Sequence, residues 1–394
     1  MAILTVNAGS SSLKFCIYPT SHGSVLPSIL SGSFEGLEPG GNTELRYAYK
    51  GLENSESFND CDQDPFIAAL VHLKDLLLNI KGLPPLQAMS HRIVHGGSEF
   101  FKPIISTSEI LEKLSSISAL APLHQPHSLD GVRAFSKIFP GIPQILCFDT
   151  AYHKSMCALE TSLALPKEIT DQGVKRYGFH GISYQFIIKE LIENSNRAKD
   201  KVLMAHLGNG ASLCAAIEGK SVATTMGFSA LDGLVMGTRS GSLDAGVIMY
   251  LMERGYTHDH IQDLLYRKSG LLGVSTISAD MRKLRSSPNP LAKEAIDLFT
   301  YRIIRDSGAM IACLGGLDII SFSGGIGEHD TQLRSNVCKK LAWLGVEINE
   351  DLNNEAVHNL VLKISSPKSR VEVWVVPTDE GVMIAQEAIN LLRS

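Results

Sequence analysis

Five charged side chains stand where packing alone gives them little to do. Arg92 lies in "SHRIVHGGS" beside Ile93 and Val94, and Arg239 lies in "MGTRSGS" between Gly237 and Gly241. Asp149 ends the apolar run in "CFDTAYH", His180 falls in "RYGFHGIS", and Glu380 in "PTDEG". Each alone reads equally well as half of a structural ion pair. Together, two planar cations, one imidazole and two carboxylates form a phosphoryl-transfer inventory. Glycine neighbours let a bulky anion reach a guanidinium fork, and the carboxylates suit Mg²⁺ or acid–base work.

Two further stretches invite an anion. "TVNAGSSSLKFCIYPT" (residues 5–20) and "MAHLGNGASLCAAIEG" (residues 204–219) both pass from apolar residues through a Gly/Ser/Asn tip and back. Glycine lets backbone N–H groups approach an oxyanion closely, Asn and Ser add short neutral donors, and Lys14 adds a charge. Either tip alone is an ordinary tight turn. Two facing each other could hold a polyphosphate from both sides.

Other phosphate and metal signatures are missing. "EGKS" at 218–221 resembles the end of a Walker A loop, but position 214 is Cys where that loop needs Gly. No G-x-G-x-x-G follows the first strand, and no H-R-D or D-F-G set occurs. No nearby carboxylate/cysteine pattern completes a metal site at His124/His127 or at His258/His260, so these read as surface or loop histidines.

The elements that must position these residues follow from periodicity and turn chemistry. Residues 3–7 read as a strand and 13–18 as its hairpin partner. Residues 36–64 read as surface loops and short strands. Residues 66–80 are helical until Gly82, Pro84 and Pro85 stop them. Residues 88–94 lead into "HRIVHGG", 108–120 are helical, 121–127 form a loop, 129–139 form a helix, and 145–148 are a short apolar run. The second half begins with another hairpin, 202–205 with 212–217, and continues with helices at 244–254 and 290–314. "LDIISFSGGIG" is an apolar run into a Gly-rich turn, and "VEVWVVPTDEG" is a strand into a turn before a helix from 380 to 392. Strands alternating with helices indicate an α/β protein. The self-similarity spans whole halves, which predicts two α/β domains with a site in the cleft between them.

Length and composition agree. A chain of 394 residues exceeds one typical core, so two domains are expected. Hydrophobic residues at 44 % and charged residues at 20 % suit a soluble globular protein. A net charge of −5 without a Lys/Arg stripe excludes a nucleic-acid footprint. No apolar run approaches the roughly 20 residues of a membrane span, and residues 1–6 read as a first strand, not as a signal peptide. The 7 cysteines are scattered without a C-x-x-C, as expected of reduced thiols in a cytoplasm.

"NAGSSSLKF", "HRIVHGG", "FDTAYH", "RYGFHGIS", "HLGNGASL", "MGFSALDGLVMGTRSGSLD", "SADMR", "GGIGE" and "PTDEG" occur in this order along the whole chain. In these motifs the sequence resembles the acetate/propionate kinase family of the actin-like ATPase superfamily. The resemblance implies two duplicated actin-like (ribonuclease H-like) domains, residues 1–150 completed by a C-terminal helix at about 381–394, and residues 151–380. Two phosphate-binding turns would clasp ATP across the interdomain cleft.

The implied reaction is transfer of the ATP γ-phosphoryl group to acetate, giving acetyl phosphate and ADP by in-line displacement. A propionate kinase of the same family and a non-metabolic actin-like ATPase are the alternatives. The implied roles are as follows. Arg92 and Arg239 bind the acceptor carboxylate and the migrating phosphoryl group, His180 bonds a phosphoryl oxygen, and Asp149 lies near acceptor and metal. Asn7 and Glu380 serve Mg²⁺, with Mn²⁺ as a substitute. Ser10, Ser12 and Lys14 form the first phosphate turn, and His206, Leu207, Gly208, Asn209 and Gly210 the second. Asp280, Met281 and Arg282, with Gly324, Gly325, Ile326 and Gly327, form the adenosine pocket. Val94, Leu123 and Phe179 wall the acetate methyl. A cytoplasmic homodimer is implied. The common "GIGEN" reads "GIGEH" with His329, "RSGDLDP" reads "RSGSLDA" with Ser242 and Ala245, and "GFTPLEG" reads "GFSALDG" with Ala230.

Overall fold

The computed structural model describes residues 1–9, 12–37, 43–58, 64–121, 124–357 and 360–394. The chain divides into two compact units, Met1–Ala151 with Asp379–Ser394, and Tyr152–Thr378.

The first unit is built on a mixed sheet. The strand Ala2–Ala8 pairs antiparallel with Ser12–Ser21, so that Asn7 faces Lys14, and parallel with Leu86–Ile93. Leu86–Ile93 in turn pairs parallel with Gln144–Phe148. Beyond the hairpin, Leu30–Glu35, Thr43–Tyr49 and Leu52–Phe58 extend the sheet antiparallel. The last two are strands of 7 residues each, within the stretch that the sequence reads as surface loops and short strands. Edge strands read as polar because one of their faces meets water.

Helices flank this sheet where capping dictates. Pro65–Asn79 begins at Asp64, whose side chain accepts from the amides of Phe66 and Ile67. A helix runs Gln125–Ile138, not from 129: Pro126 sits in the first turn, where its missing N–H costs nothing. The stretch "HQPH" is therefore partly helix, a correction to the loop expected there. The C-terminal helix Glu380–Arg393 is capped by Asp379, whose Oδ1 accepts from the Val382 amide at 2.9 Å and from the Tyr18 hydroxyl at 3.0 Å. Ser90 donates to the Ile384 carbonyl, fastening this helix to the central strand of the sheet.

The second unit repeats the same arrangement. Lys201–Leu207 pairs antiparallel with Ala211–Ile217 and parallel with Ile319–Ser323, which pairs parallel with Glu372–Val375. "EGKS" is the hairpin turn into Lys220–Thr224, with Glu218 and Gly219 both left-handed at φ 54° and 73°. It is a two-residue turn of the primed kind, not a phosphate loop. Pro290–Leu314 is a helix of 25 residues, opened by the Asn289 cap and closed by Gly315 at φ 65°. The Gly-rich stretch after Ile319–Ser323 is no turn but the short helix Gly324–His329.

Two buried histidines make stability depend on pH. His91 donates from Nε2 to Gln144 Oε1 in the first unit, and His153 lies buried in the second. Burial pushes both down to about 4, against which a hydrogen bond works in each case. An unfolded histidine titrates near 6.5, so between pH 6.5 and 4 the unfolded chain binds protons that the native chain refuses. Stability is full above pH 6.5 and falls as the pH drops towards 4. Between pH 6.5 and 5 the expected loss is about 2 kcal/mol for each histidine. Urea midpoints measured from pH 7 to 5 should fall accordingly, with a shallower slope for His91→Gln. A flat profile would contradict the assignment.

Candidate active site

In the first unit the functional candidates gather at the carboxyl ends of the parallel strands, where open α/β sheets place their sites. Arg92 is the penultimate residue of Leu86–Ile93. Asp149 follows Gln144–Phe148, and its amide donates to the Ile93 carbonyl at 3.0 Å, continuing the parallel pairing. The register brings the two side chains together. Arg92 Nε donates to Asp149 Oδ1 at 3.0 Å, and Nη2 donates to Oδ2. Glu380 Oε2 lies 3.3 Å from the same Nε, because the Asp379 cap starts the C-terminal helix beside the strand ends. Asn7 Oδ1 accepts from Arg92 Nη1 at 3.4 Å.

One guanidinium thus faces two carboxylates and an amide, with Asp149 1 % exposed and Glu380 24 %. Burial alone would lower the Arg92 pKa, but the charges of Asp149 and Glu380 outweigh it and the pKa is raised. Burial also pushes Asp149 up, to about 6, with Glu380 adding to the rise and Arg92 opposing it. Val94 is half-buried, two residues beyond Arg92, and Lys14 is exposed on the second strand. Ser10 and Leu123 lie outside the described residues.

In the second unit the hairpin turn at 208–210 is the centre. Gly208 N donates to the Gly210 carbonyl at 3.0 Å, and the Asn209 carbonyl accepts from Gly237 N at 2.9 Å, which ties the turn to the loop carrying Arg239. Gly210 lies close against both side chains: a Cβ there would sit tightly, 3.1 Å from His180 Nε2, and in van der Waals contact at 3.9 Å from Arg239 Nη1. Arg239 Nη1 donates to the Ala230 carbonyl at 3.0 Å. The His180 ring stacks on that of His206 with centroids 4.3 Å apart. Phe179, the residue before His180, is buried, and its carbonyl accepts from His153 Nε2 at 2.9 Å.

Beside this turn opens a cavity of about 960 Å³, lined by Gly208, Asn209, Asp280, Met281, Gly325 and Ile326 among others. Arg282 also borders it and holds Asp280 through Nε at 3.1 Å and Nη2 at 2.7 Å. That hydrogen bonding, more than any other influence, brings Asp280 down to about 2. Leu207 and Gly327 are buried, and Gly324, at φ 74°, packs against the Leu207 carbonyl. Their contribution is to the floor of the site. Glu328 Oε1 accepts from the amides of Gly324 and Thr378, latching the glycine helix to the chain beyond the last strand.

The sequence profile of the acetokinase family matches residues 2–386. The acetate kinase of Rhodopseudomonas palustris (strain ATCC BAA-98 / CGA009) is 44 % identical over 403 residues, covering 99 % of this chain and 98 % of that protein. The chain belongs to the acetokinase family.

Solved structures agree. A propionate kinase from Francisella tularensis superposes with a TM-score of 0.91 at 35 % identity, covering 98 % of each chain. Porphyromonas gingivalis acetate kinase superposes with a TM-score of 0.88 at 35 % identity, covering 99 % of each. The acetokinase fold is the actin-like one, and each unit of this chain carries the hairpin that the sequence suggests, set beside parallel strands.

Several residues at this acetokinase site escape motif reading. Arg285 Nε and Nη2 hold Asp330, and Nη1 donates to Gln332; all three border the nucleotide-sized cavity. Arg334, fully buried, donates to the carbonyls of Gly327 and Glu328 and to Asn353. Tyr184 and Ser212 adjoin His180. Tyr184 was detectable as the residue four positions after His180, on the same helix face. The arginines carry no local signal, since their partners are set by packing.

Proposed function

We propose that this chain is an ATP:acetate phosphotransferase that forms acetyl phosphate and ADP reversibly. The observation that carries the reading is Arg92 gripping both oxygens of Asp149 at the strand ends with Glu380 alongside. A hydroxyl acceptor needs a base aimed at its proton, whereas a carboxylate acceptor is already ionised at pH 7 and needs a cation. Asp149, with both oxygens engaged, suits orientation and not proton abstraction.

ATP binds with its adenosine in the cavity beside Met281 and Ile326 and its phosphates at the 208–210 turn and Lys14. An acceptor oxygen attacks the γ-phosphorus in line, the new O–P bond forms as the bond to the β-phosphate oxygen breaks, and ADP leaves. The obstacle is repulsion between two anions. Arg92 and Arg239 draw off charge through their forks, and His180 donates to a phosphoryl oxygen.

Asn7 and Glu380 carry hard oxygen donors of the kind that Mg²⁺ takes. Among the described residues no cluster of three or more His, Cys, Asp or Glu is arranged for a metal. Mg²⁺ is commonly held by one or two protein oxygens, keeping several waters and completing its shell with substrate phosphates. Asn7 and Glu380 would hold it, Mn²⁺ would substitute, and when bound it would neutralise charge on the transferring phosphates.

Hydroxylamine trapping with purified protein, MgATP and acetate tests the reaction. Acetohydroxamate is the expected product. ATP loss without hydroxamate would favour a bare ATPase, and nucleotide binding without turnover a regulatory protein.

Acetate is the preferred acceptor, with propionate second. Val94, β-branched and stiff at χ1, follows the strand that presents Arg92 and crowds the acceptor methyl on this reading. One methylene in such a pocket is worth about 1–3 kcal/mol, so kcat/KM should favour acetate over propionate by roughly 10–200-fold at most. Val94→Ala should narrow that ratio. Propionate equal to acetate in the unmodified protein would make it a propionate kinase.

The chain acts as a cytoplasmic homodimer on this reading. Supporting it, the helix Ala245–Glu253 buries none of its residues while Val247, Met249, Tyr250 and Met252 are exposed, and the six described cysteines are all free. Among the described residues no helix is long and apolar enough to cross a membrane. Sedimentation of the wild type against Met249→Asp distinguishes dimer from monomer.

A further inference from the structure

A neutral His180 ring can donate to a phosphoryl oxygen only if its single proton sits on the nitrogen that faces the substrate. The hydroxyls behind the ring decide that. His180 Nδ1 lies 2.9 Å from Ser212 Oγ, and the same Oγ is bonded to the Tyr184 hydroxyl. Ser212 and Tyr184 are both 0 % exposed, so no solvent competes for these groups. Ser212 has one hydrogen and two partners. It donates either to His180 or to Tyr184, and the choice fixes the tautomer.

Tyr184 settles the choice. Its oxygen also receives the backbone amide of His206. Burial, more than any neighbour, holds its pKa well above the ordinary value, so the phenol keeps its proton. That proton needs an acceptor, and Ser212 Oγ is the oxygen within hydrogen-bonding distance. A serine donating to Tyr184 would leave a buried phenolic O–H unsatisfied, which costs about 1–3 kcal/mol. The hydrogens therefore run one way, Tyr184 to Ser212 to His180 Nδ1.

We infer that Tyr184 and Ser212 form a hydroxyl relay that holds neutral His180 with its proton on Nε2, making it a hydrogen-bond donor towards the phosphate turn at Gly210. The geometry is rigid on every side. His180 adopts a left-handed backbone, φ 57° and ψ 23°, at the cap of the helix Gly181–Asn194. The Tyr184 amide donates to the His180 carbonyl at 3.0 Å, so ring and relay ride on one helical turn. His206 stacks against one face of the ring and blocks its rotation. His206 Nδ1 itself is bonded to Ser183 Oγ at 2.8 Å, so both rings are anchored through the same nitrogen. Tyr184 and Ser212 are positioning residues: neither touches the substrate.

The inference rests on the proposed role of His180, and the experiment separates the two. Histidine-selective ¹⁵N labelling of the full chain, with the His180 signals assigned by their loss in His180→Gln, reads the tautomer without any turnover. The expected spectrum has an unprotonated Nδ1 and a protonated Nε2. Tyr184→Phe, which removes one oxygen and keeps the buried ring, should move proton population onto Nδ1. It should also lower kcat about 10-fold with the KM for ATP unchanged, and Ser212→Ala should lower kcat about 10²-fold. A wild-type ring protonated on Nδ1 overturns the relay, as does Tyr184→Phe with an unchanged spectrum and unchanged kcat. An unchanged kcat in His180→Gln overturns the catalytic role of His180 instead, while the spectrum still decides the tautomer.

Discussion

Arg92→Ala and Arg239→Ala each lower kcat by about 10²–10³ while leaving ATP binding largely intact, the cost of losing one preorganised donor at a developing charge. The two are not equivalent. Arg92 also holds Asp149 through two hydrogen bonds and faces Glu380, so its removal leaves two carboxylates without their cation where two anionic substrates must meet. Arg92→Ala therefore takes the larger loss. Arg239→Ala frees the Ala230 carbonyl and vacates the ground beside Gly210. Lysine rescues poorly at either position. One ammonium cannot span both oxygens of Asp149 and also reach an acceptor, whereas the planar fork does. The check is steady-state kinetics with thermal unfolding of each variant alongside. A folded Arg92→Ala enzyme with near-wild-type kcat would remove this arginine from the mechanism.

Gly325→Val raises the KM for ATP by about 10–100-fold, equivalent to roughly 1.4–2.8 kcal/mol of lost binding. A Cβ at Gly325 meets no protein atom within 4 Å, and the residue lines the cavity assigned to adenosine. Added methyl groups therefore displace ligand and not protein, and the fold is retained. Acceptor KM and thermal midpoint should be unchanged. The neighbouring glycine behaves in the opposite way. Gly324 has φ 74°, and a Cβ there would lie 2.8 Å from the Leu207 carbonyl oxygen. Gly324→Ala should thus lower the thermal midpoint before it affects the nucleotide. An unchanged ATP KM in a well-folded Gly325→Val enzyme would move the nucleotide out of this cavity. The pair separates occupancy of the site from construction of its floor, because the two substitutions are adjacent in sequence and point into different surroundings.

The sequence by itself determined the elements whose causes are local. The Gly-Asn-Gly and Gly-Ser tips between alternating apolar runs specify hairpins, because turn residues with free φ and a period of two are written in consecutive positions. Asn289 and Pro290 start a helix and Gly315 stops it for the same reason. The charged candidates stood out because charge in apolar or glycine-rich surroundings is itself a local anomaly.

Tertiary structure alone decided what those residues do to one another. Arg92 meets Asp149 across 57 positions because two parallel strands share a register, and Tyr18 meets Asp379 across 361 because the final helix returns to the first sheet. No window of sequence contains such a pair. The glycines after Ser323 turned out to begin a helix because the sheet ends there, and a left-handed Gly324 packed on Leu207 turns the chain into one. The proton on His180 is a tertiary property too. It depends on where a buried phenol can send its hydrogen, which is settled only when a helix and a strand bring Tyr184 and Ser212 together.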